Sequence, residues 1–280
     1  MEMDLASLYE HMHDALDGMY YSYSEHEYHL QKVNSTHNDL VHEAVFTFDK
    51  NLAFITWQNL AVLENVEATL PEVITILDGC RAKSVSPFDS KKILSYGQAC
   101  QILMQLLKEG RFNLDKQILC AIHHYCAQAD LKTDDRGAFR RENVIISGTS
   151  YVPPKYEDLE DIFKEGIDFI NMHVDNPVEK ALLAFLFCCR SQFFKDGNKR
   201  TASIFLNGIL LSHGFAPIAI LKDFKQEMVK LLVEFYEICN ADHIIDFFNK
   251  NFDEQFKDRS EEAKQKKRQS FCRFSKVKRH

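Results

Sequence analysis

The chain has 280 residues, of which 45% are apolar and 27% are charged, a balance typical of folded proteins rather than disordered ones. Its 10 glycines and 6 prolines are few beside 22 phenylalanines, which favours long helices around a large apolar core. No apolar run reaches the roughly 18 residues of a membrane span, and the acidic N-terminus lacks the pattern of a signal peptide. We therefore expect a cytoplasmic protein with no membrane partner.

The net charge of −7 is unevenly distributed along the chain. Residues 257–280 contain ten Lys or Arg and three Asp or Glu, a net charge of +7, which leaves −14 on the remainder. An acidic body argues against broad nucleic-acid binding. The basic segment is interpreted as a solvated chain end. Contact with nucleic acid or an anionic membrane is the alternative.

The cysteines and histidines form no complete metal-binding motif. The eight cysteines include no CxxC pair and lie mostly in apolar helical patterns, which indicates buried thiols rather than zinc ligands. In the segment SEHEYHL, His26 and His29 are three residues apart, whereas the zinc-protease helix needs a spacing of four. Residues 1–50 are polar with helical spacing, so these histidines are interpreted as part of a solvated helix face.

The next apolar patterns predict a series of helices. One runs to about Asn65, and a second begins after Thr69. The Thr69 hydroxyl caps this second helix while Glu72 reaches back in a capping box, and Gly79 ends it. An amphipathic helix closed by Gly110 follows.

Residues 131–156 differ from the helical remainder. They are loop-like except for a short β-branched run at Val144–Ile146, which is followed by Ser-Gly and Pro-Pro breakers. This is the only convincing strand material in the chain. The predicted fold class is therefore all-α, a helical bundle from which a short β-hairpin flap projects.

Two buried helices follow the flap. The first opens with Asn176 as its cap, and residues 181–189 are almost all apolar, which is typical of a helix buried on every side. A second apolar helix starts near Thr201. Between them lies the polar, basic segment SQFFKDGNKRTAS, residues 191–203.

This connection has the features of a phosphate site. The N-terminus of a helix presents unpaired N–H groups and a positive dipole end. Gly197 permits close approach of a ligand, Asn198 can cap the helix, and Lys199 and Arg200 add positive charge. Asp196 makes sense as a ligand of Mg²⁺ that bridges to phosphate oxygens. An ordinary tight helix connection is the alternative.

The connection resembles the signature of Fic-domain and Doc proteins. GAFR at 137–140 resembles their lead-in to a flap that docks a target segment, here 143–154, and residues 56–66 resemble the inhibitory helix of autoinhibited members, with Glu64 as the regulatory residue. The similarity covers residues 55–250, flanked by an N-terminal helical region at 1–54 and a basic tail at 251–280. The matching signature residues are Phe194, Asp196, Gly197, Asn198, Lys199, Arg200, Thr201 and Ala202.

The resemblance implies a binding site for ATP and Mg²⁺. The N–H groups of Gly197, Asn198 and Lys199 would then cradle the α- and β-phosphates. Asp196 would hold Mg²⁺, and Arg200 would meet a phosphate.

Three other residues are assigned from the same resemblance. Asn207 could reach the base or sugar of the nucleotide, with an ordinary polar residue on a helix face as the alternative. Tyr151, on the flap, could stack on the base or simply cover the hairpin. Phe194 is expected to anchor the loop in the core.

Three departures from the family pattern fall on its chemistry. Gln192 stands where the family has its catalytic His, and a Gln amide cannot accept a proton as a general base does. Ser203 replaces the second Arg, which in relatives grips the terminal phosphate and pairs with the inhibitory Glu. Glu64 is therefore expected to lack that partner, and Leu60 replaces the Ser or Thr of the inhibitory motif. His123 or His124 could supply a base only by reaching the loop.

Three functions are compatible with these departures. The first is a nucleotide-binding protein that transfers AMP, or another phosphate-containing group, slowly to a protein hydroxyl. The second is a catalytically inactive binding or regulatory module. The third is an enzyme of another class on the same scaffold. The target protein is unknown, and a homo-oligomer is left open.

Overall fold

The computed structural model describes residues 23–33 and 39–257, and the predictions for the first 22 residues and for the basic tail beyond residue 257 lie outside them. The all-α class is confirmed, since the described residues contain helices and no strand; Lys32 and Phe215 form an isolated bridge. The helices are α1 (Leu40–Lys50), α2 (Leu52–Leu63), α3 (Leu70–Leu77), α4 (Pro87–Lys108), α5 (Lys116–Cys126), α6 (Leu159–His173), α7 (Pro177–Ser191), α8 (Asn198–Ser212), α9 (Lys225–Ile238) and α10 (242–257), with 3-10 turns at Thr133–Asp135, Tyr156–Asp158 and Lys222–Phe224.

The predicted helix boundaries around α3 and α7 are confirmed. Glu72 accepts the Thr69 N–H at 2.7 Å, as a capping box requires. Gly79 follows the end of α3 with a φ of 80°, a left-handed conformation that favours glycine. At the start of α7, Asn176 accepts the Val178 N–H at 2.9 Å.

Helices α7 and α8 form the centre of the bundle. From Ala181 to Ser191 every residue of α7 is buried, and α8 is buried from Arg200 to Leu211. Helices α1, α2, α4 and α5 pack against α8, and α6 packs against α7. The loop between α7 and α8 is therefore held at both ends by the most buried elements of the described structure, which fixes its position.

The predicted β-hairpin flap is wrong, because residues 141–154 contain no strand. Pro153 and Pro154 carry no N–H to donate to a ladder, so the returning arm cannot pair regularly. The two arms are joined instead through Asn143, whose side-chain oxygen accepts the Tyr156 N–H at 3.1 Å. The segment between them is an extended loop that projects outward, with Ile145 87% exposed.

The segment before α1 also differs from its prediction. Residues 23–33 are extended rather than helical. His26 is not on a solvated helix face, since its two ring nitrogens lie 2.8 Å from Asp242 and 3.3 Å from Asp246 on α10. Among the described residues, no group of three or more His, Cys, Asp or Glu is arranged to hold a metal ion.

The described helices do not have the features of a membrane span. Within residues 23–33 and 39–257, none is both long enough and apolar enough to cross a bilayer.

Candidate functional site

Two left-handed residues shape the loop between α7 and α8. Gln192 ends α7 with a φ of 49°, and Gly197 precedes α8 with a φ of 77°. A Cβ on Gly197 would meet its nearest neighbours at 3.6 Å, an ordinary contact, so the backbone angle rather than space favours glycine. Gly197 supplies no side-chain cap to the first turn of α8. The backbone N–H groups of this first turn therefore lack a side-chain cap, and such N–H groups can bind an anion.

Asn198 organises this loop from inside. Its side-chain oxygen accepts the Phe194 N–H at 2.9 Å, and its amide nitrogen donates to the Phe194 carbonyl at 2.7 Å and to Gln192 Oε1 at 3.0 Å. Gln192 in turn donates to the Cys189 carbonyl at 2.6 Å. Gln192 thus has a hydrogen-bonded amide next to the helix start, and it offers hydrogen bonds rather than a base.

Arg200 faces three carboxylates instead of an open phosphate site. Its side chain is 0% exposed, and its guanidinium lies 2.5 Å from Asp130 Oδ2 and 3.1 Å from Asp196 Oδ1. Its Nε lies 2.9 Å from Glu64 Oε1, an ion contact without the alignment of a hydrogen bond. Burial opposes the charge of Arg200, but interactions with Cys126, Glu64 and Asp130 hold its pKa above the ordinary value. Arg200, which the sequence predicts to meet a phosphate, is therefore covered in this structure by the carboxylates of Glu64, Asp130 and Asp196.

Glu64 has two cationic partners, Lys92 and Arg200, neither of which is the residue at position 203. It caps the C-terminal end of α2, and the chain reverses at Asn65, where φ is 57°. Its Oε2 lies 2.6 Å from Lys92 Nζ on α4, while its Oε1 faces Arg200. Lys92 is also 3.6 Å from Asp130 Oδ1. Sequence reasoning missed both Lys92 and Asp130, because neither lies in a motif.

The turn that carries Glu64 is closed by the indole of Trp57. Its Nε1 donates to the Ala68 carbonyl at 2.7 Å, so this hydrogen bond spans the reversal after α2. Lys222 lies over the same ring, 4.6 Å from its centroid. Glu64 is thus held by a braced turn as well as by its cations.

Ser203 belongs to a buried polar chain. Its hydroxyl donates to the Arg200 carbonyl at 2.7 Å and lies 2.9 Å from the Tyr96 hydroxyl. Asn59 donates to that Tyr96 oxygen at 2.8 Å. Burial raises the pKa of Tyr96 well above its usual value. Position 203 is therefore part of the core, and its hydroxyl already has partners.

His123 reaches the loop, but both of its ring nitrogens are engaged there. Nδ1 accepts the Gly137 N–H at 2.9 Å, so the proton is on Nε2, which donates to the Asp196 carbonyl at 3.0 Å. The ring stacks on buried Phe194 with centroids 3.7 Å apart, which fits the predicted role of Phe194 as an anchor. Burial is the main reason that the pKa of His123 is lowered to about 4. His123 holds the loop and is not a free base.

The lowered pKa of His123 predicts a pH-dependent stability. In the unfolded state His123 has a pKa of about 6.5. Between pH 6.5 and pH 4 the unfolded state therefore binds more protons than the folded state. Stability is therefore complete above that range and is lost as the pH falls through it, by at most about 1.4 kcal/mol per unit. Urea unfolding at pH 7 and pH 5 should show a larger loss for the wild type than for His123→Gln. Equal losses in the two proteins would contradict this assignment.

Asn207 and Tyr151 contact protein groups in this structure. Asn207 is buried, donates to the Ile218 carbonyl at 3.0 Å and accepts the Ile218 N–H at 2.9 Å. Tyr151 stacks on Tyr236 and lies under the guanidinium of Arg190, which is 4.0 Å from its ring centroid. The structure does not bring these two side chains to the glycine of the loop.

Arg140, at the end of the GAFR segment, joins the projecting segment to the loop. Its backbone N–H donates to the Phe193 carbonyl at 2.9 Å, and its Nε donates to the Gln192 carbonyl at 2.7 Å. Its other nitrogens donate to the carbonyls of Glu142 and Pro154, at the two ends of the projecting segment. A cleft of about 190 Å³ lies beside it, lined by residues 134–135, 138–142 and Lys195.

Comparisons with known proteins agree with this architecture. The model of the Fic/DOC family matches residues 113–210. The protein adenylyltransferase Fic of Nematostella vectensis is 34% identical over 89 residues, which are 31% of this chain and 20% of that protein. The chain thus matches about a fifth of the length of this curated relative.

Solved structures show the same fold. Fic-1 from C. elegans superposes with a TM-score of 0.68 at 18% identity, covering 93% of this chain and 73% of that one. IbpAFic2, solved covalently tethered to Cdc42, superposes with a TM-score of 0.51 at 17% identity, covering 80% and 65%.

The helical bundle, with its central pair joined by a glycine-containing loop, has the fold of Fic domains. The Fic/DOC family match covers residues 113–210, from before α5 into α8.

Proposed function

We propose that this protein binds ATP with Mg²⁺ at the start of α8 and transfers AMP slowly to a hydroxyl of a target protein. The observation that carries the proposal is the turn at Gly197, which opens a buried helix without a side-chain cap. Its support at the family level comes from relatives named protein adenylyltransferases. The low rate follows from Gln192 in the position of the family's catalytic His.

The phosphates would be bound mainly by backbone N–H groups. Those of Asn198 and Lys199 lie in the first turn of α8, which has no side-chain cap. The Gly197 N–H donates to Asp196 Oδ1 at 2.5 Å, so it becomes available only when that carboxylate turns away. Lys199 adds positive charge at the same helix end, where the dipole also favours an anion.

Asp196 fits the role of the Mg²⁺ ligand. Its side chain is 51% exposed, and one of its oxygens contacts Arg200. Mg²⁺ is commonly held by one or two carboxylates together with substrate phosphates, so a single carboxylate is sufficient. The ion would supply charge neutralisation to the phosphates.

In the transfer step, the target hydroxyl oxygen would bond to the α-phosphorus as the bond to pyrophosphate breaks. Gln192 would orient that hydroxyl without taking its proton, which would leave to water. Without a general base the rate is expected to be about 10²–10⁴-fold lower. The projecting segment 143–154 would dock the target, since Ile145 and Val152 are exposed there.

The structure represents the closed form in this proposal. The Glu64 carboxylate contacts both Lys92 and Arg200, so a phosphate that binds to these cations would have to displace it. Residue 64 would thus control access to the site, even though the second motif arginine is replaced by Ser203.

Calorimetric titration with ATP, with and without Mg²⁺, tests this proposal. Glu64→Gly should bind Mg-ATP at least about tenfold more tightly than the wild type, because a bound phosphate no longer competes with a charge-assisted contact of roughly 1.5–3 kcal/mol. Glu67→Gly, an exposed change on the same turn, is the matched control and should behave like the wild type. Absence of heat from ATP and GTP with Glu64→Gly would exclude nucleotide binding.

A further inference from the structure

We propose that Lys92 replaces the missing second arginine of the signature and binds the terminal phosphate of the nucleotide once Glu64 has moved away. The inference rests on the function proposed above. It assigns a phosphate ligand to α4, a helix that lies outside the signature and before the region matched by the family model.

The position of Lys92 supports this role. Its side chain is 11% exposed and extends into the charged cluster formed with Glu64, Asp130, Asp196 and Arg200. Its Nζ lies 2.6 Å from Glu64 Oε2. A lysine so little exposed needs an anionic partner to offset the loss of hydration. Asp130 is a second such partner, at 3.6 Å, so Lys92 remains in place when Glu64 leaves.

The Glu64 carboxylate marks an anion-binding position between two cations. One oxygen faces Lys92 at 2.6 Å and the other faces Arg200 at 2.9 Å. Removal of Glu64 leaves two cations beside two carboxylates, those of Asp130 and Asp196, and takes one negative charge out of the cluster. A phosphate oxygen would bring a negative charge back to the same position, with lysine as a common point-charge ligand of phosphate.

Ser203 cannot take this role. Its hydroxyl is buried, donates to the Arg200 carbonyl at 2.7 Å and contacts Tyr96 at 2.9 Å. The terminal phosphate therefore needs a cation from elsewhere. Of the lysines near the cluster, Lys91 is exposed on α4, whereas Lys92 points inward.

Nucleotides of different length distinguish this role from a purely structural one. A ligand of the terminal phosphate should affect ATP more than AMP, whereas a residue that only supports the fold would affect both equally. In a Glu64→Gly background, Lys92→Met should weaken Mg-ATP binding by about 10- to 100-fold. The affinity for AMP should change little, and Lys92→Arg should retain ATP binding.

The control is Lys91→Met in the same background, which removes an exposed lysine from the neighbouring position and should leave both affinities unchanged. Lys92→Gln provides a second uncharged variant should Lys92→Met fail to fold. Equal weakening for ATP and AMP, or ATP binding independent of Lys92, would overturn this inference while the proposed function stands. Failure of Glu64→Gly itself to bind any nucleotide would remove both.

Discussion

Replacement of Arg200 by methionine is expected to lower the free energy of unfolding by about 3–5 kcal/mol. The guanidinium is fully buried and faces Asp130 at 2.5 Å and Glu64 at 2.9 Å. Methionine fills much of the volume but leaves these two carboxylates close together with little solvent, and only Lys92 remains to offset them. Removal of one partner from a buried ion cluster costs more than the cluster contributes, because the remaining charges are left uncompensated. Urea denaturation at pH 7 measures the loss.

Two further variants test the cause of that loss. Arg141→Met removes an arginine with an exposed side chain and should change the stability by less than about 0.5 kcal/mol. Adding Glu64→Gln to Arg200→Met removes one of the repelling charges and should recover part of the stability. A loss below about 1 kcal/mol for Arg200→Met would place the cluster among ordinary surface ion pairs.

Gln192→His is expected to raise the rate of AMP transfer by about 10²–10⁴-fold, the usual contribution of a positioned general base. The substitution is compatible with the backbone, since residue 192 has a φ of 49° and histidine is enriched among residues in that region. The measurement is transfer of labelled AMP to protein in a Glu64→Gly background, so that the nucleotide site is accessible in every variant.

Gln192→Asn is the matched control, because it keeps an amide and also tolerates the left-handed conformation. It should not raise the rate. If the protein with Gln192 labels its target as fast as the Gln192→His variant, the reaction needs no base at this position. Nucleotide binding without labelling in any variant would instead favour a binding module.

Local patterns in the sequence predicted much of this fold. Thr69 and Glu72 form their capping box, and Gly79 follows the end of the helix, because each depends on neighbours within a few residues. The loop at Gly197 was predictable for the same reason. Its long-range partners were not, since Lys92 follows Glu64 by 28 residues and is one of several lysines without a motif.

The two wrong predictions, a helix at residues 23–33 and a β-hairpin flap, have different causes. Residues 23–33 have a polar pattern that suggests a helix, yet His26 bonds to Asp242, 216 residues away, and the segment is extended along α10. The flap forms no hairpin because Pro153 and Pro154 have no N–H to donate to a ladder. The side chain of Arg140 instead donates to the carbonyls of Gln192 and Pro154. The contacts predicted between the nucleotide and Asn207 or Tyr151 stay predictions; in this structure Asn207 bonds to Ile218 and Tyr151 stacks on Tyr236.

The indole hydrogen bond across the Glu64 turn gives the unlabelled chain an intrinsic optical probe. Trp57 is the only tryptophan in the sequence, so its emission comes from one position, about two helical turns before Glu64. The emission wavelength and intensity depend on two contacts of the indole, the hydrogen bond to the Ala68 carbonyl and the Lys222 ammonium over the ring. Departure of the turn from the cluster would alter the spectrum, and rapid mixing with ATP would follow that movement in real time without any attached dye.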